Sequence, residues 1–414
     1  MEHEAGGTIA VVTPSVVLFT LFFVAVSALA TQPQPSLSPA DVHRAAIVVD
    51  GHNDVGSWIL DYDFDLAMDG ADPDKRNAQL YWIIPKLLPE PRGDEIRTHT
   101  DLDRLEAGGV DAQFFSVFAH PKYAERPGGT HQRAHDMIDA LLRQVERHPE
   151  RLSLALTAYD VRRNAAAGRI SMLLGLEGGH AIDADLAKLR GFFDRGVRYM
   201  TLTWSNSNGW ADASGDQALH GGLTDFGRDV VREMNRLGMV VDVSHVSDET
   251  FRDVMEVARA PVIASHSSAR ALTDTPRNMT DDMIAAVGKN GGVVMVNFGG
   301  LFIDPRKSNR WRLLTDFITH FGPSPTTSAM LVDHIDHIIA VAGIDHVGLG
   351  SDFDGTLLLP HDLPDVSGFP EITRHLFERG YGRREIEKVL GENTLRVLAE
   401  VEAEAYQLQN APGA

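Results

Sequence analysis

Eight short apolar runs recur along the chain, at residues 47–50, 112–117, 171–176, 199–203, 240–244, 262–265, 293–297 and 346–349. Each is bounded by Gly or polar residues, and stretches with amphipathic helical spacing lie between them, among them 132–147, 185–194, 224–237, 248–259 and 281–289. Runs that are apolar throughout are strands buried on both faces, and strands of that kind alternating with helices form a parallel sheet covered by helices. Eight such units favour a closed (β/α)8 barrel of the TIM type over an open doubly wound sheet. At 414 residues and 43% hydrophobic content, the chain can supply the core of one such barrel. Residues 383–405 add a helical region with ordinary amphipathic spacing.

The first 38 residues stand apart. No charged side chain occurs between positions 5 and 40, and 8–30 is nearly all apolar. Ala28-Leu29-Ala30 offers a small-x-small cleavage site, and Gln32-Pro33-Gln34-Pro35 reads as an extended linker. The leading Met-Glu-His-Glu is acidic where a signal peptide is basic, Pro14 interrupts the run, and about 20 apolar residues suffice to span a bilayer. The expectation for 1–38 is a signal peptide, or an uncleaved anchor that tethers the chain to a membrane, with a single barrel domain over 39–414 exported either way. With 58 acidic against 38 basic residues, a formal charge of -20 repels phosphate backbones, so nucleic acid is not an expected partner. The absence of cysteine removes disulfides, thiolate nucleophiles and thiolate metal sites, so any metal must be held by His, Asp and Glu.

Five strand ends carry residues that bind cations or move protons: His52 and Asp54 after the first, Glu177 after the third, His245 after the fifth, His266 after the sixth and Asp352 after the eighth. Singly, each has an ordinary structural explanation, as a satisfied core histidine or a turn aspartate. A barrel gathers strand ends into one ring, and their coincidence is hard to attribute to packing alone. Imidazole nitrogen and carboxylate oxygen suit zinc or a similar divalent ion, and there are enough ligands for two. Glu177, flanked by Gly175, Gly178 and Gly179, could bridge them. Two ions sharing a water lower its pKa and supply hydroxide, with Asp352 of SDFDG as proton carrier. His180 is expected to orient a ligand, whereas His120, His131, His135 and His220 lack the strand-end context. The long connections 55–100 and 298–328, the second bearing Arg306, Lys307, Arg310 and Arg312, are candidate lids or specificity loops.

These residues sit in a series of motifs: DGHND (50–54), GLEGGHAI (175–182), VRYMTLT (197–203), VDVSHVS (241–247), APVIASHSSAR (260–270), PRNMTDD (276–282), VVMVNF (293–298) and HVGLGSDFDG (346–355). Their order and content resemble the membrane dipeptidase (renal dipeptidase) family of the amidohydrolase superfamily, from residue 41 to residue 400. The resemblance implies a metallo-dependent hydrolase with two zinc ions per subunit, one on His52 and Asp54, the other on His245 and His266, with Glu177 bridging. It also implies Asp352 as acid/base, Arg277 pairing with the substrate's terminal carboxylate through its bidentate fork, dipeptide substrates that tolerate a C-terminal D-residue, and a homodimer. In one place the chain departs from the family, which carries His after TLT where this chain has Trp204. An indole donates but cannot ionise, and losing one transition-state donor typically costs ~10²–10³ in rate. Asn206 or Asn208 could supply the missing dipole. Trp204 therefore keeps two alternatives open: a binuclear hydrolase of a lactone or other cyclic amide, and a barrel that binds without turnover.

Overall fold

The computed structural model describes residue 1 and residues 37–83, 91–307, 326–356 and 358–411. By contacts the chain divides into Met1–Leu37 and Ser38–Ala414. The proposed signal or anchor segment, and Arg310 and Arg312 of the second long loop, lie outside the described residues.

Eight parallel strands close into a barrel: β1 (Val48–Asn53), β2 (Val110–Phe118), β3 (Ile170–Glu177), β4 (Val197–Thr201), β5 (Val240–Asp242), β6 (Ile263–Ala264), β7 (Val293–Val296) and β8 (Val347–Leu349). They follow one another round the ring in chain order, and β1 pairs with both β2 and β8, which leaves no open edge. All eight expected runs are present. The first extends further than its apolar residues suggest, through His52 to Asn53, and the fourth begins two residues earlier. A short strand at Leu152–Leu154 pairs with the start of β3 before β4 joins it, and Arg76–Asn77 pairs with Ile96–Arg97 inside the first long connection.

Side chains alternate between two apolar layers. Val48, Val117, Leu174, Met200, Val241, Val294 and Leu349 face the surrounding helices. Val49, Phe114, Leu173, Tyr199, Val293 and Met295 belong to a second cluster with Leu395, Leu398 and Val401 of the C-terminal helix Asn393–Gln409. That helix closes the amino end of the barrel and leaves the carboxyl end for chemistry. The outer helices start where the sequence offers caps: the hydroxyls of Thr224, Ser247 and Thr280 accept backbone N–H bonds from Gly227, Thr250 and Met283.

Buried aspartates tie neighbouring strand ends together. Asp50 accepts from Ser351 N (2.7 Å) and Ser351 Oγ (2.6 Å), joining β1 to the loop after β8. Asp242 accepts from Thr201 Oγ1 (2.5 Å), Ser244 N (3.0 Å), Ser265 N (2.8 Å) and Ser265 Oγ (2.7 Å), joining β4, β5 and the loop after β6. Side-chain hydrogen bonds thus replace the strand ladder where the backbones splay apart towards the site. The first long connection is docked on the last such loop: Trp58 Nε1 and His99 N donate to Asp354 Oδ1 at 3.2 and 2.8 Å, and Gln79 Nε2 donates to Thr356 O.

Candidate metal centre

The strand ends bring His52, Asp54, Glu177, His245, His266 and Asp352 together, every one of them buried. His52 is the last inward-facing residue of β1, and Asp54 takes the N-cap position of helix Val55–Tyr62 without using its side chain as a cap. His52 Nε2 lies 3.3 Å from Asp54 Oδ2 and 3.6 Å from Glu177 Oε2. The other oxygen of Glu177 faces a different pair: Oε1 is 3.1 Å from His245 Nε2 and 3.8 Å from His266 Nε2. Those two ring nitrogens are 2.9 Å apart, and the rings of His52 and His266 stack at 3.9 Å. His245 and Asp352 hold left-handed backbone, at φ 68° and 60°. Such conformations are uncommon outside glycine and concentrate at functional sites.

The rings are aimed from behind. Tyr199 reaches across the barrel from β4, and its hydroxyl donates to Gly51 O (3.2 Å), so it accepts from His52 Nδ1–H at 2.8 Å. Gly175 makes room for this: a Cβ there would stand 2.0 Å from Tyr199 Cζ. Ser265 Oγ donates to Asp242 and so accepts from His266 Nδ1–H at 2.7 Å. Both arrangements engage Nδ1 and turn Nε2 towards the cluster, the nitrogen through which each ring could hold a metal. Ser116 Oγ donates to Glu177 Oε2 (3.1 Å), and Asn297 Nδ2 to Asp352 Oδ2 (2.9 Å). Sequence reasoning passed over Tyr199, Ser116, Ser265 and Asn297; the available signal was a polar group at an inward position of an apolar strand.

The electrostatics of the cluster follow from its burial. Burial pushes Asp352 up to about 8, with the Asp54 carboxylate adding to it, and burial also raises Asp54. Burial and then the Arg277 guanidinium hold His245 down to about 4, and burial with the charge of His52 holds His266 well below the usual imidazole range. For Glu177 the cost of burial is outweighed by His52 and the hydrogen bond from His245, so its carboxyl stays low. His245 and His266 therefore resist protonation, whereas for His52 the cost of burial is outweighed by Tyr199, Asp54 and Glu177, which raise it well above the usual imidazole range; its Nε2 is buried with no hydrogen-bond partner. Buried polar atoms are normally paired and buried charge neutralised. The triplets His52, Glu177, His266 and His52, Asp54, Asp352 each bring ligand atoms within 4.8 Å of one another. Cations fit this donor set.

Arg277 lies at the rim, its Nη1 and Nη2 donating to Ser267 Oγ and His266 O, both at 3.3 Å. Other expectations fare differently. Among the described residues His180 makes no hydrogen bond to a candidate ligand; its Nε2 bonds Ala119 O at 2.7 Å, tying the loops after β2 and β3. Asn208 has no dipole to spare, since Nδ2 donates to Leu202 O and Oδ1 accepts from Trp210 N and Ala211 N. Asn206 donates to Ser207 O. His131 and His135 pair with each other on helix Gly129–Arg147, and His220 bonds Asn208 O. His120 is at the mouth after all, its ring 5.0 Å from Trp204. Arg306 is clasped by Asp304 at 2.7 and 2.8 Å.

Solved structures with this architecture include a dipeptidase AC described as a metallo peptidase of family M19, at 28% identity and TM-score 0.70, covering 86% of this chain and 98% of that one. A metallo peptidase from Rhodobacter sphaeroides, liganded with a phosphinate mimic of the dipeptide L-Ala-D-Ala, is 28% identical with TM-score 0.69, covering 86% and 99%. The probable dipeptidase PvdM from Pseudomonas aeruginosa shares the fold at 24% identity and TM-score 0.72, covering 88% and 98%. The family model for membrane dipeptidases, peptidase family M19, matches residues 38–412. The chain therefore belongs to the membrane dipeptidase family and is a metallo-dipeptidase.

Proposed function

We propose that the chain hydrolyses dipeptides with two zinc ions, one held by His52 and Asp54, the other by His245 and His266, with Glu177 between them. The observation that carries this reading is the division of Glu177, whose two oxygens face two separate groups of imidazole nitrogens. Bound zinc supplies Lewis acidity and a water acidified towards neutrality.

The chain's own residues do the rest. Asp352, with Oδ2 held by Asn297 Nδ2, is oriented to take a proton from the attacking water and return it to the leaving amine. Arg277, held by two long hydrogen bonds and over the Phe302 ring at 5.5 Å, presents its fork to the terminal carboxylate. The residue bearing that carboxylate is proposed to be accepted in the D form, as in the mimic bound by the Rhodobacter sphaeroides enzyme. Export of the domain through residues 1–38 belongs to the same reading.

The test is a panel of L,L- and L,D-dipeptides and simple lactones, assayed after chelation and after zinc is restored. The expected outcome is dipeptide turnover that chelator abolishes and about two zinc ions per chain restore. Turnover of lactones alone would move the reaction to a cyclic ester, and tight dipeptide binding without turnover would make the barrel a binder.

A further inference from the structure

Opposite Arg277 the mouth changes character. Strand β2 ends in Phe118, which pairs in register with Glu177, and His120 follows two residues later. Trp204 stands three residues past the end of β4. Its indole packs against the Phe118 ring with centroids 4.9 Å apart and against the His120 ring at 5.0 Å, and it lies 6.5 Å from the ring of His245. All three rings are half-buried, and the indole N–H has no hydrogen bond among the described residues. Strands β2 and β4 flank β3, which carries Glu177, whereas Arg277 follows β6 on the other side of the ring. The ligand cluster therefore separates an aromatic wall from a cation.

We infer that the Phe118–Trp204–His120 wall is the subsite for the amino-terminal residue of the substrate and selects aromatic or large branched side chains there. The inference rests on the dipeptidase reading with Arg277 on the free carboxylate. Two extended residues span about 7 Å, so a dipeptide anchored at Arg277 and cleaved over the cluster must direct its other residue towards β2 and β4. Flat apolar side chains gain there both by leaving water and by offset or edge-on ring packing. The substrate class is thus an amphipathic dipeptide, bulky and apolar at its amino end and anionic at the other.

The experiment compares kcat/KM of the zinc-loaded enzyme on Phe-Ala, Leu-Ala, Ala-Ala and Gly-Ala, in the natural protein and in Trp204→Ala. Metal content and thermal midpoint are read for each, and Phe118→Leu serves as the second variant should Trp204→Ala fail to fold. The expected result is a preference of roughly 10–100-fold for Phe-Ala over Gly-Ala, collapsing to within about 3-fold in the variant at equal metal content. A natural enzyme that cleaves Gly-Ala as fast as Phe-Ala overturns the inference and leaves the dipeptidase reading standing, as does a ratio unmoved by Trp204→Ala and Phe118→Leu. If zinc-loaded protein cleaves none of the four in either the L,L or the L,D form, both fall together.

Discussion

Tyr199 shows how a residue with no claim to chemistry governs one that has it. Its hydroxyl holds His52 Nδ1 at 2.8 Å and so points Nε2 at Asp54 and Glu177. Tyr199→Phe keeps the ring on Gly175 and removes that acceptor together with the donor to Gly51 O. It is expected to weaken divalent-ion affinity by ~10–100-fold, measured by competition against a chromophoric chelator, and an unchanged affinity would remove the role. The candidate ligands were legible because His, Asp and Glu at the ends of apolar strands are unusual enough to notice. Tyr199 was not, because a tyrosine in an apolar run reads as core and only its partner across the barrel says otherwise. Asn208 failed in the opposite sense. A free amide in a loop looked available, but its turn consumes three of its hydrogen bonds.

Among the elements, the segment after β6 carries His266 and leads to Arg277, and it is pinned by helix Ser328–Ala342. Ala269 N donates to His334 Nδ1 at 3.0 Å, which requires a neutral imidazole, and burial lowers His334 to about 4 from its usual value of 6.5. Below pH 6.5 the unfolded chain binds a proton that the fold refuses, so the unfolded state gains. Stability from this group is complete above about pH 6.5, declines as pH falls towards 4 and then levels off, a loss of up to ~3 kcal/mol. Urea midpoints of the natural protein and His334→Leu at pH 7.5, 6 and 5 should converge as pH falls; parallel lines would contradict this. The strand and helix positions were readable from periodicity, because burial on two faces or one leaves a local trace. The short strands Arg76–Asn77, Ile96–Arg97 and Leu152–Leu154 left none, since two or three residues carry no period.

The whole molecule separates its tasks by end. The C-terminal helix packs Leu395, Leu398 and Val401 into one mouth of the barrel, and the candidate ligands occupy the other, so packing and chemistry make few conflicting demands. Residues 1–37 form a separate unit and the family match begins at 38. A protein lacking residues 1–37 is expected to fold, load metal and cleave the same dipeptides from solution, while the full chain is expected in the exported or membrane fraction; loss of thermal cooperativity on truncation would tie the segment to the fold. Among the described residues no helix is long and apolar enough to cross a membrane. The amino-acid order alone determined the barrel, the candidate ligands at its strand ends and its family motifs, because burial periodicity and residue chemistry are written locally. Only the closed ring decided that Glu177 faces two sets of imidazoles, that Tyr199 serves His52, and that Trp204 meets Phe118 and His120 across from Arg277. Those are contacts between strands far apart in the chain, and their geometry exists nowhere before the barrel shuts.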